Sequence, residues 1–299
     1  MSQWEKMVQA RFVENDYDPE SELKAVMDQL IEDERKANND LRPRPVVENY
    51  DQVNVRIAKT DADPESKLKA VLDRLSEDER KQDLQLKVIA DNCGGVDQVD
   101  KTAKALARLT DPHWRLTLWI ATNGLESVPA SVWELANLEE LRVNNNKLKD
   151  FHSADIDKLT KLRRFWIGFN PLEKFPMTVC RLVKLEELDA TGCNLTWLPR
   201  FFFDFNHLVE LRLGNNAFED FPDAVCTLKS LRTLLLFGNK LQVLPWSLVD
   251  LQELRELDVS DNCLMKFPLV LCRMPNLETV RIGKNQFGEP LTPSILDSV

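Results

Sequence analysis

The chain has 299 residues, 43% hydrophobic and 29% charged, which fits one or two globular domains with a sizeable core. Its net charge of −10 is shared by both halves: residues 1–110 hold 18 basic and 24 acidic side chains, and residues 111–299 hold 21 and 25. A duplex-binding surface needs a local basic excess, and the absence of any basic stripe argues against nucleic acid as a partner. The N-terminal MSQWEKMVQARF has no basic segment leading into an apolar run, and no window approaches the roughly 18 apolar residues of a membrane span. The expected compartment is therefore the cytoplasm.

Residues 1–110 contain a duplication offset by 45 residues. VQARFVENDYDPESELKAVMDQLIEDERK (8–36) and VNVRIAKTDADPESKLKAVLDRLSEDERK (53–81) agree at 18 of 29 positions. Each copy reads as two helices. Trp4, Met7, Val8 and Phe12 share one helical stripe, and Val46, Tyr50, Val53 and Ile57 share its counterpart. A second helix starts at Asp18-Pro19-Glu20 and again at Asp63-Pro64-Glu65, where an N-cap acid, a proline at the first position and an early glutamate coincide. A third, divergent unit spans Leu84 to Leu109, and NNDLRPRP (38–45) reads as a linker. The expectation is an all-helical domain over residues 1–110 whose last helix caps the region C-terminal to it. A sharper alternative makes the two EDERK segments (32–36 and 77–81) parts of docking modules, but a solvated helix end explains them equally well.

From residue 115 a different repeat takes over. RLTLWIATNGL (115), LEELRVNNNKL (138), LRRFWIGFNPL (162), LEELDATGCNL (185), LVELRLGNNAF (208), LRTLLLFGNKL (231), LRELDVSDNCL (254) and LETVRIGKNQF (277) are eight copies at 23-residue spacing, with one of 24 at Leu138. One copy cannot bury its apolar positions alone, so copies stack, pair their strands in parallel and share a core. The ninth-position asparagines, Asn146, Asn170, Asn216, Asn239, Asn262 and Asn285, turn the chain inward and satisfy backbone groups at the turn.

These residues resemble the leucine-rich-repeat family, whose pattern is LxxLxLxxN/CxL. The return segments, as in LESVPASVWELAN and LQVLPWSLVDLQE, resemble the 23-residue intracellular class of Ras-suppressor-type scaffold proteins, over residues 113–288. The resemblance implies an α/β leucine-rich-repeat solenoid with a parallel sheet on its concave face, spanning residues 111–299 with a short C-terminal cap. It also implies a non-enzymatic scaffold or adaptor without cofactors, whose partner is a protein such as a small GTPase or another signalling protein.

Cys180, Cys226 and Cys272 recur at one position of alternate repeats, about 10 Å apart by strand spacing, too far for disulfides; they read as small core residues. Cys193 takes the ninth position, where the family pattern allows cysteine. No CxxC, HExxH, GxSxG or phosphate-loop pattern is present, and Glu139-Glu140 and Glu186-Glu187 show no buried partner that would shift a carboxyl pKa. The rival reading is an effector or enzyme whose N-terminal domain acts while the repeats select a target. Cys93 is its one candidate nucleophile.

The variable strand positions should form the concave face. The fifth positions are Trp119, Arg142, Trp166, Asp189, Arg212, Leu235, Asp258 and Arg281; the seventh and eighth add Phe169 and Phe237. Trp and Arg together are the usual anchors of protein interfaces, so Trp119, Arg142, Trp166, Phe169, Arg212, Leu235 and Phe237 are the candidate partner-binding residues. For Trp119 the plain alternative is packing against the N-terminal domain. Phe202, Phe203 and Phe205 coincide with core positions, Trp197 and Phe201 offer a second exposed surface, and the terminal SILDSV reads either as a ligand for another domain or as a cover for the last repeat.

Overall fold

A computed structural model describes residues 52–287 apart from 62, 77–78, 81–83, 152–153 and 275. Ten parallel strands form one sheet in strict chain order. They are β1 (Gln52–Arg56), β2 (Gln85–Ile89), β3 (Arg115–Trp119), β4 (Leu138–Arg142), β5 (Arg164–Trp166), β6 (Glu187–Asp189), β7 (Glu210–Arg212), β8 (Thr233–Leu235), β9 (Glu256–Asp258) and β10 (Thr279–Arg281). The last eight are the eight repeats. Leucines at their first and fourth positions are buried, in one core that continues from Val53 to Ile282.

The expectation of an all-helical domain fails over residues 52–110. β1 and β2 alternate apolar and polar residues, with Val53, Val55 and Ile57, then Leu86, Val88 and Ala90, turned into the core. β2 pairs in register with β3, so the sheet runs through the anticipated boundary at 110–111 without a break. Between these strands lie α1 (Pro64–Leu72) and α2 (Val96–Leu109), and the unit at 84–109 is a strand plus a helix. The start of α1 is as the sequence implies: Asp63 accepts from the N–H groups of Glu65 and Ser66 at 3.1 and 3.2 Å, and Pro64 occupies the first turn. Within the second EDERK segment, Glu79 and Ser76 form a capping box, and the Arg80 carbonyl accepts the Trp114 indole N–H at 3.1 Å. Those contacts serve the fold. The first duplicated copy, the linker at 38–45 and the C-terminal segment from 288 lie outside the described residues.

Return length decides what lies behind each strand. Paired residues Gln52, Gln85 and Arg115 are 33 and 30 residues apart, enough for helices of nine and fourteen residues. The shorter repeats first manage one turn, α3 (Ala130–Trp133), and then only 3₁₀ turns such as Met177–Arg181 and Trp246–Asp250. Inside, Phe175, Phe202 and Phe205 stack edge to face. Phe202 and Phe205 are fully buried as expected, whereas the Phe203 side chain lies outside the described residues.

The ninth-position asparagines form a ladder. Asn170 Oδ1 accepts from Leu148 N–H, and its Nδ2 donates to the carbonyls of Val143 and Ile167; Asn216, Asn239 and Asn262 repeat this scheme. Asn123 extends it across the 110–111 junction by accepting from Cys93 N–H at 2.8 Å and donating to Ala90 O at 2.8 Å. Cys93 therefore holds the position that Cys193 holds in its repeat, whose N–H donates in the same way to Asn216.

Candidate functional site

The face of the sheet opposite the helices and 3₁₀ turns carries two transverse rows set by the register. The upper row is Arg56, Ile89, Trp119, Arg142, Trp166, Asp189, Arg212, Leu235, Asp258 and Arg281. The lower row is Asn54, Lys87, Thr117, Glu140, Arg164, Glu187, Glu210, Thr233, Glu256 and Thr279.

Four of the candidate residues come together as a ladder of alternating cations and rings. Arg142 Cζ sits 3.8 Å from the Trp119 ring centroid and 3.2 Å from that of Trp166. Lys87 Nζ covers Trp119 from the other side at 3.4 Å, and Arg212 Cζ approaches Trp166 at 5.6 Å. Such contacts contribute about 0.5–2 kcal/mol each. Trp119 and Trp166 are consequently half-buried in the free protein, with their ring faces already engaged by its own cations. Trp119 does pack against the N-terminal units, through Lys87. Leu235 follows Arg212 in the upper row, outside the ladder.

Glu140 organises the ladder from below. It is 6% exposed; its Oε1 accepts from Trp119 Nε1 at 2.8 Å and Arg142 Nε at 2.7 Å, and its Oε2 from Arg164 Nε at 2.8 Å. Burial disfavours its charge, but the Arg142 charge, the two hydrogen bonds and the Arg164 charge outweigh this and hold the carboxyl below the ordinary glutamate range. The expectation that Glu139-Glu140 lacks buried partners is thus corrected for Glu140. Burial, then the Arg142 charge, pulls the Lys87 ammonium below its usual pKa against the opposing pull of Glu140 and Asp91. Farther along, burial first and the adjacent Glu210 second push Glu187 upward.

Phe169 and Phe237 occupy a third level beyond the rows. Every eighth position is left-handed, with φ between 51 and 65° at Thr122, Asn145, Phe169, Gly192, Asn215, Gly238, Asp261 and Lys284. Phe169 is the bulky exception, at φ 54° and 42% exposed. Its ring lies across Gly192, where an added Cβ would stand 2.8 Å from it, and the Phe237 ring lies across Gly214, where the distance would be 2.5 Å. Each aromatic depends on a glycine in a neighbouring repeat.

Lys87 and Glu140 were missed in the sequence. The alternation in QLKVI (85–89) was the available signal for Lys87; for Glu140 there was none beyond its place in the fifth-position neighbourhood. The candidate nucleophile does not hold. Cys93 is 1% exposed and burial pushes its thiol up to about 11, so it is a protonated core residue at neutral pH. All six cysteines are free; Cys180, Cys193 and Cys226 are buried, and Cys263 and Cys272 are partly buried. On the opposite side, Trp197, Phe201 and Trp246 are exposed. No described helix is long and apolar enough to cross a membrane.

The profile of the leucine-rich repeat region family matches residues 143–289. Among solved structures, the chain is similar to a leucine-rich-repeat protein of Leptospira interrogans at 23% identity and a TM-score of 0.55, covering 73% of this chain and 59% of that one. It is similar to internalin C2 of Listeria monocytogenes at 23% identity and a TM-score of 0.52, covering 64% of this chain and 76% of that one. Likeness at this identity shows the fold alone. No curated protein sequence matches the chain. The ten-strand sheet, the asparagine ladder and the matching profile agree, and the chain carries a leucine-rich-repeat region over residues 143–289.

Proposed function

We propose that the chain is a non-enzymatic interaction module that holds a protein partner on the open face of its sheet, acting as a scaffold or adaptor in the cytoplasm. The ladder Lys87–Trp119–Arg142–Trp166–Arg212 carries this reading. Stacking holds five long or bulky side chains in place before any partner arrives, so little rotamer entropy is lost on binding, and preorganised Trp and Arg are what protein interfaces use as anchors. A signalling protein such as a small GTPase is the partner suggested by the resemblance to Ras-suppressor-type scaffolds.

The test is affinity capture from the native cell with three forms of the protein. Trp166→Ala with Phe169→Ala should lose the captured proteins, while Trp246→Ser on the opposite side should keep them. The reverse pattern would move the interface to the 3₁₀ side.

A further inference from the structure

The two rows divide sharply by charge. Over β1–β5 they hold the cations Arg56, Lys87, Arg142 and Arg164 against the anion Glu140. Over β6–β10 they hold the anions Glu187, Asp189, Glu210, Glu256 and Asp258 against the cations Arg212 and Arg281. The first half is thus +3 and the second −3, on a chain whose net charge is −10. Internal pairing does not cancel either excess. Glu140 is shared by Arg142 and Arg164, and among the described residues Arg56 and Lys87 form no ion pair. In the other half Arg212 takes Glu210 and Arg281 takes Glu256, which leaves Glu187, Asp189, whose carboxylate accepts from the Thr191 N–H, and Asp258, which is buried and accepts from the Ser260 N–H and hydroxyl. Asp91, one step beyond the upper row, has its carboxylate turned to the Ala121 N–H.

Building on the open-face reading above, we propose that the occupant is an extended protein segment of mixed charge lying across the strands, its acidic end over β2–β5 and its basic end over β6–β9. A purely acidic or purely basic segment would meet repulsion from one half, and like charges set against each other are costly at an interface. The centres of the two halves, at β3 and β8, are about 24 Å apart at about 4.8 Å per strand, or roughly seven extended residues. Lys87, Trp119, Arg142 and Trp166 of the ladder sit in the half that faces the acidic end, so aromatic edges and guanidinium N–H groups are offered together to carboxylates there.

The experiment is fluorescence anisotropy with the full chain and labelled peptides in which a block of four Asp/Glu and a block of four Lys/Arg flank seven Gly/Ser residues. Controls carry two acidic or two basic blocks. The bipolar peptide should bind about tenfold tighter than either control, and Lys87→Glu and Glu187→Lys should each weaken it several-fold. Glu187→Lys combined with Glu210→Lys should shift preference to the doubly acidic peptide. Equal binding of all three peptides, insensitivity to both reversals, or tighter binding of a single-stranded RNA than of the bipolar peptide would overturn the proposal. Such failure would leave the capture difference between Trp166 and Trp246 variants standing, so the two readings fail separately.

Discussion

The units at 52–110 and the repeats at 115–287 share one sheet and differ in what closes it. In the first region long returns make amphipathic helices, and α2 buries Val99, Ala103 and Leu106 against the strands. In the second, returns too short for a helix rely on 3₁₀ turns and on edge-to-face phenylalanines to fill the same layer. Strand pairing and the ninth-position ladder pass unaltered from one to the other through Asn123. The sheet and its hydrogen-bonded turn define the solenoid, while the back layer is interchangeable.

The strongest way to break this comparison is to empty the core of the second region. Phe202→Ala should cost about 3–5 kcal/mol, and because the sheet is continuous the α2 helix should melt in the same calorimetric transition. A separate, unshifted transition for residues 52–110 would mean the two regions are independent. Asn123→Ala cuts the seam itself. It strands the Cys93 N–H and the Ala90 carbonyl, a loss of about 2–3 kcal/mol, and hydrogen exchange should then show β1 and β2 opening before the repeats.

Glu140→Gln should cost about 2 kcal/mol at neutral pH, since it removes the negative charge beside Arg142 and Arg164 and sets an amide NH2, which cannot accept, against the donors of one of the two carboxylate oxygens. The sign with pH is set by the direction of its shift. A carboxyl held below its unfolded pKa contributes fully above that value, about 4.3, and loses its contribution as pH falls through the folded pKa. The difference in Tm between wild type and Glu140→Gln should therefore be largest near pH 7 and close as the pH drops below about 4. The smallest effect has the opposite sign. Phe169→Asn replaces a bulky left-handed residue with one that tolerates φ 54°, relieving up to about 1 kcal/mol of strain. Neutral or raised stability together with lost capture would show that the strain is kept for binding.

The repeat region was legible because eight copies fix the period, and the first-position leucines from Leu138 to Leu277, the ladder asparagines and the buried Phe202 and Phe205 all stand where that period puts them. The strands at 52–56 and 85–89 were not. Val53 and Ile57 are four apart, a spacing that fits both a helix face and a strand face, and the intervening Val55 that decides the matter was outweighed by Tyr50 and Val46. With β2 misread, Lys87 could not be set beside Trp119. Glu140 was illegible for another reason: its three donors come from three different strands, and only the register brings them together. The fifth positions did gather Trp119, Arg142, Trp166 and Arg212, but their order could not show that the rings were already stacked.

A partner lying on the sheet face should leave its footprint there. Hydroxyl-radical footprinting of the captured complex against the free protein reads this out: Phe169 and Trp166 should lose reactivity while Trp197 and Trp246 keep theirs. Protection of Trp197 and Trp246 with Phe169 and Trp166 unchanged would place the partner on the opposite side and refute the assignment.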